Sequence, residues 1–213
     1  VGSLNAGVQD VTLNVAGALL DGDGASDNVD ITAGSLSVTA RGVGTSTQAL
    51  DTEVVSLVLN TGTDGAAYLS EASALTLSSA NTGVLSLSAA GSVVVQTAAA
   101  GGAVTLTVAG VGNSLTVGNW TATGQSVTLN VAGALLDGDS ASDNVDITAG
   151  SLSVTAGSVG TSASRTYPSP GSSPAASFDD SHDPGVTTIA TAGSSSRLAN
   201  STDVIPEGTR CHT

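Results

Sequence analysis

Eight aspartates stand out as residues that could do chemistry. Asp21, Asp23, Asp27 and Asp30 fall within the ten residues DGDGASDNVD, and Asp137, Asp139, Asp143 and Asp146 fall within DGDSASDNVD. Calcium takes six to eight oxygens, mostly from carboxylates and carbonyls, on a flexible loop that contains glycine. Each stretch offers four carboxylates and an asparagine, so each is a candidate calcium loop of the weak extracellular kind. Neither is an EF-hand, because Ala25 stands at the fifth position of the first loop and Thr32 at the twelfth, where a bidentate glutamate belongs. Nor do they follow the glycine-rich nonapeptide calcium repeat. The same residues also make an ordinary polar turn between strands, where Asp and Gly are the expected types. Both readings stand at this point.

Other chemistry is thinly represented. Ser181, His182 and Asp183 carry the letters of a hydrolase triad, but a triad is a spatial arrangement that three adjacent residues do not readily form. His182, Cys211 and His212 lack metal-ligand spacing. Asn119 and Asn200 head glycosylation sequons, which mean little if the source is bacterial. A polysaccharide-acting enzyme on a β-solenoid would need paired carboxylates with Lys, Arg or His beside them. Residues 1–164 hold one Arg and neither Lys nor His, so catalysis is not expected. A ladder of Thr12, Asn14, Ser37, Thr76, Ser86, Thr105, Thr107, Thr116, Thr128 and Asn130 offers hydroxyls and amides at outward strand positions. Such a ladder could meet ice or a glycan, or simply reflect the high strand propensity of Thr.

The net charge is −14, lysine is absent, and Arg41, Arg165, Arg197 and Arg210 are the strong bases. Nucleic acid and anionic lipid both need clustered cations, so neither is an expected partner. No apolar run reaches the ~18 residues of a spanning helix. Cys211 is the single cysteine, which excludes an intrachain disulfide. The chain begins at Val1 and holds no Met, and is read as a piece of something longer.

The elements that must position these residues are strands. Triplets such as Leu13-Asn-Val15, Leu36-Ser-Val38, Leu106-Thr-Val108 and Leu129-Asn-Val131 alternate with period two, and Gly, Asn, Asp and Ser punctuate between them. The nearest approach to a helical stripe is YLSEASALTL at 68–77, whose second half alternates like a strand. The fold class is therefore all-β. Residues 11–40 recur at 127–156 with one difference, Gly24 against Ser140, at a constant offset of 116. Copying of a whole unit predicts that the two acidic loops occupy equivalent places. Aromatics are only 2% of the chain, so the interior must be filled by Ala, Val and Leu. Small side chains and repeats at two scales favour a parallel β-helix, or β-solenoid, of roughly eight 20-residue rungs over residues 1–164. A β-sandwich is the alternative. Leu13, Val15, Leu106, Val108, Leu129 and Val131 should point inward.

The texture changes after Ser164. All five prolines lie in 165–213, and proline cannot donate to a strand ladder. This segment is expected to be an irregular tail, either disordered or encoded out of frame with the repeat, and to be cut first by protease.

The strings GSLSVTA, GVLSLSAAGSVVVQTAAAGGAVTLTVAG and VGTSTQALDTEVVSLVLNTGTDGAAYLSEASALTL resemble the repeat regions of filamentous-haemagglutinin-like and related β-strand-repeat bacterial adhesins. The resemblance covers about residues 1–164. It implies a right-handed parallel β-helix, export to the bacterial cell surface or beyond, and a role as a stalk or adhesive rod toward a host or environmental glycan or surface. It supplies no catalytic residues.

Overall fold

The computed structural model describes residues 1–23, 28–138, 145–160 and 187–192. The elements in chain order are β1 (Leu4–Asn5), β2 (Asp10–Asn14), β3 (Ala18–Leu19), β4 (Ile31–Thr39), β5 (Gly42–Val43), β6 (Leu50–Asn60), β7 (Ala67–Glu71), β8 (Leu75–Thr82), β9 (Leu85–Ala89), β10 (Val93–Ala100), β11 (Val104–Val108), β12 (Leu115–Asp137), β13 (Ile147–Val159) and β14 (Thr187–Ala192). Every pairing from β1 to β13 is parallel and joins strands one turn apart, which makes a β-solenoid of about seven turns. YLSEASALTL divides between β7 and β8 with no helix.

Period-two alternation becomes the wall of a rung. In β9 the inward Leu85, Leu87 and Ala89 are buried, while Ser86 and Ser88 face out. In β10 two successive outward residues, Gln96 and Thr97, break the alternation and turn the chain in mid-strand. Val93 and Val95 thus line a second wall, and Ala98 and Ala100 a third. Down the first wall stack Leu50, Leu69, Leu87, Leu106, Leu129 and Val154. Down the second stack Val11, Leu36, Leu57, Leu77, Val95 and Val117. Down the third stack Leu13, Val38, Leu59, Ala80, Ala98, Trp120 and Ile147.

These columns form one continuous apolar cluster. Of the residues expected to point inward, Leu106, Val108, Leu129 and Val131 are buried, while Leu13 and Val15 are partly buried and packed on the cluster's end. The chain's one Trp departs from the expectation of a core without a large anchor: Trp120 is 1% exposed. Ala80 and Ala98 stack in line below it, and their small side chains leave the room that an indole needs.

Turns number fewer than the eight expected, because rungs differ in length. Leu77 and Val95 pair across one turn, and so do Trp120 and Ile147, a span lengthened by the second acidic loop. The unit of 116 residues is consequently not a whole number of turns. Leu13 lies on the third wall and its copy Leu129 on the first; Ile31 pairs into the first wall through Thr52 and Glu71, and its copy Ile147 into the third through Trp120. The two acidic loops therefore do not sit at equivalent places on the rod, and that expectation is corrected.

Within 165–213 the described residues are those of β14. It pairs antiparallel with β13, Ala156 opposite Thr187 and Ser151 opposite Ala192. The parallel register thus ends at β13. The remaining positions of the tail, with Ser181, His182, Asp183, Asn200, Cys211 and His212, lie outside the described residues. Among the described residues no helix is long and apolar enough to cross a membrane.

Candidate metal centre at the first acidic loop

The first acidic loop leaves the rod after Leu19 and returns at Ile31, both buried. Its last residue, Asp30, is clasped by the rungs on either side. Its N–H donates to the carbonyl of Asp51 at 2.9 Å, its carbonyl accepts from the N–H of Leu4 at 2.6 Å, and its Oδ2 accepts from the N–H of Asp51 at 3.1 Å. Asp30 is 0% exposed, although it is a carboxylate. Its other oxygen, Oδ1, is buried with no hydrogen-bond partner.

Asp21 and Asp23 converge on it. The N–H of Asp23 donates to Asp21 Oδ1 at 2.9 Å, and Asn28 Nδ2 lies 3.5 Å from Asp23 Oδ2. One carboxylate oxygen from each of Asp21, Asp23 and Asp30 lies within 4.8 Å of the others. Burial raises the Asp30 carboxyl above the usual range; the Asp51 N–H pulls it down, the charges of Asp21 and Asp23 push it up, and the N-terminal ammonium lowers it. An all-carboxylate donor set of this kind suits a hard cation. Gly22 sits at the loop's start because a Cβ there would lie 2.9 Å from the carbonyl of Val1, and its N–H donates to that carbonyl at 2.6 Å.

The expected fourth ligand, Asp27, lies outside the described residues, as do Asp139 and Asp143 of the second loop. The described part of that loop repeats the first. Asp146 is buried, with its carbonyl accepting from the N–H of Trp120 at 2.6 Å, and Asp137 is half-buried at the end of β12. Gly138 lies as tight on Val117 as Gly22 does on Val1. Gly138 and Val145, which flank the part of the loop outside the described residues, line a groove together with Val94, Gln96, Gly118, Asn119 and Thr148.

The Ser/Thr/Asn ladder is divided among walls. On the first wall Ser86, Thr105, Thr128 and Ser153 stack in one file, and Ser70, Ser88, Thr107, Asn130 and Thr155 in the next. On the second wall Val94 separates Thr76 from Thr116. Thr12 stacks on Ser37, and the file then meets Val58. Asn14 pairs with Thr39 away from both files.

Sequence reading missed Glu71, which is 2% exposed in a column that continues through Ala89 and Val108. Its carboxylate accepts from Thr52 Oγ1 at 2.8 Å, from the N–H of Val54 at 3.1 Å, and from the N–H and Oγ of Ser73 at 3.0 and 2.8 Å. This is a satisfied structural acid that organises the turn after β7. The signal was present: Ala67, Leu69 and Glu71 share one parity of the alternation.

No family model, curated protein or solved structure matches this chain.

Proposed function

We propose that the chain is a stiff, non-catalytic rod segment of a large secreted bacterial surface protein, acting as a spacer and adhesive stalk. The observation that carries this reading is the parallel strand pairing that continues, through local register shifts, along about seven turns, with one apolar cluster through the interior. Each rung buries its apolar side chains only by stacking on its neighbours, so the unit grows lengthwise. An acidic, lysine-free composition suits an extracellular setting with divalent cations, and the strand grammar resembles that of haemagglutinin-like adhesins.

The test is length. Chains carrying one, two and three head-to-tail copies of residues 11–126 should lengthen by roughly 25 Å per copy in small-angle scattering, at ~4.8 Å for each of five or so rungs. Growth in all three dimensions overturns the rod. A panel of acidic glycans should be returned uncut; cleavage would replace the rod with the enzyme.

A second reading adds a ligand to the rod. Its specific support is the pair of in-register files of hydroxyls, with one amide at Asn130, on the first wall, with strands ~4.8 Å apart and alternate residues ~7 Å apart along each strand. A repeating array of this kind matches an extended glycan. Glycan-array binding that disappears in Thr105→Lys/Thr128→Lys supports it; ice shaping without glycan binding points to the lattice instead.

A further inference from the structure

Among the described residues, Asp21, Asp23 and Asp30 form the one group of three or more acidic, His or Cys side chains close enough to share an ion. Clustered acids alone prove little. The independent observation is Asp30 Oδ1: an oxygen of a 0% exposed carboxylate, sealed from water and without any hydrogen-bond donor. A buried acceptor in that condition costs about 1–3 kcal/mol, and more when charged. Proteins resolve such a cost by supplying a donor or a cation. Among the described residues, the two carboxylates that lie within 4.8 Å of it are themselves acids, which supply no donor when ionised.

From this geometry we infer that Asp21, Asp23 and Asp30 bind one calcium ion, which ties the first acidic loop to the rod at the rung between Leu4 and Asp51. Oxygens on opposite sides of a calcium ion lie about 4.6–5.2 Å apart, which accommodates the 4.8 Å spread of the three carboxylates. Three carboxylates leave positions for water, and that fits the ~10⁻⁴–10⁻³ M affinity of extracellular modules. Asp30 is the anchor, because two rungs fix its backbone; Asp21 and Asp23 are the closing arm. The site goes beyond the rod reading and does not depend on it.

The experiment uses the full chain, with calcium chloride as probe. Calorimetry should give one calcium fewer per chain in Asp23→Asn than in the wild type, whatever the second loop contributes. Melting should rise by about 3–6 °C at tenfold the dissociation constant. The decisive variant is Asp30→Asn, whose amide would donate to Asp21 and Asp23. Without calcium it should melt above the wild type, and in saturating calcium below it. A structural role alone gives no such reversal: Asp30→Asn lower in both conditions overturns the site. So does equal stoichiometry in Asp23→Asn and wild type, or an equal melting shift from magnesium, which is charge screening. Asp23 is exposed, so its variant keeps the test valid should Asp30→Asn not fold.

Discussion

Two buried carboxylates show how much the surroundings decide. Glu71 and Asp30 are both buried, yet Glu71 has four donors and Asp30 has one oxygen unmet. Burial raises the Glu71 carboxyl above its ordinary range, and the hydrogen bonds from Ser73, Thr52 and Val54 pull it only part of the way back. A raised native pKa means that the folded chain holds this proton more tightly than the unfolded chain. The associated stability is present below the ordinary glutamate value of 4.5 and is lost as pH rises through the higher native value. Denaturant midpoints of wild type and Glu71→Gln from pH 4 to 7 should therefore diverge, the wild type losing ground as pH rises; the other carboxylates cancel in the difference. Parallel curves would refute the shift. Glu71→Ala should lose roughly 1–3 kcal/mol, because Thr52, Val54 and Ser73 keep buried donors with no acceptor. At this scale the sequence was half legible. Asp21, Asp23 and Asp30 were readable as a group from composition and spacing. The burial of Asp30 was not, since Asp in a Gly-rich loop reads as solvent-exposed until the neighbouring rungs are in place.

Strands in this chain are set by local sequence and stabilised by what stacks on them. Alternation named the inward residues of β7, β9 and β11 because a strand has only two sides. It missed the mid-strand corners of β8, β10 and β12, where paired polar residues shift the parity and open a new wall. It also missed Trp120, whose place depends on Ala80 and Ala98 in rungs distant in sequence. The duplicated unit separates the local contribution from the stacking. VTLNV at 11–15 and VTLNV at 127–131 are identical, and each pairs with an identical SLSVT strand on one side. On the other side β11 covers Val127, Leu129 and Val131, whereas Val11, Leu13 and Val15 remain half-buried. Leu129→Ala should cost about 2–5 kcal/mol, as for buried leucines generally, and Leu13→Ala less than half as much. Equal losses in denaturant midpoint would show that local sequence, and not the covering strand, sets the stability of the element.

Over the whole molecule the sequence revealed the repeat but not its phase. An offset of 116 residues says that a unit was copied; how far around the rod the copy falls depends on the summed lengths of the rungs between. Those lengths are irregular, since turns vary and each acidic loop inserts itself into one rung. Five turns carry Leu13 to Trp120 along the third wall, and the copied leucine, Leu129, arrives nine residues later on the first. A rod extended by such units turns its acidic loops around the circumference instead of aligning them in a stripe. Cations held there would then be distributed on several sides, which limits like-charge repulsion between neighbouring loops. The phase is measurable with nitroxide labels on two rigid strands, at Thr12→Cys and Thr128→Cys in a Cys211→Ser background. Copies on one wall would be separated by the axial rise alone, roughly 25 Å for five rungs at ~4.8 Å. Copies on different walls add the breadth of the rod, so the electron-spin distance should centre on the order of 30 Å or more. A distribution centred near the axial value would place both copies on one wall, align the acidic loops, and overturn the phase read from the register.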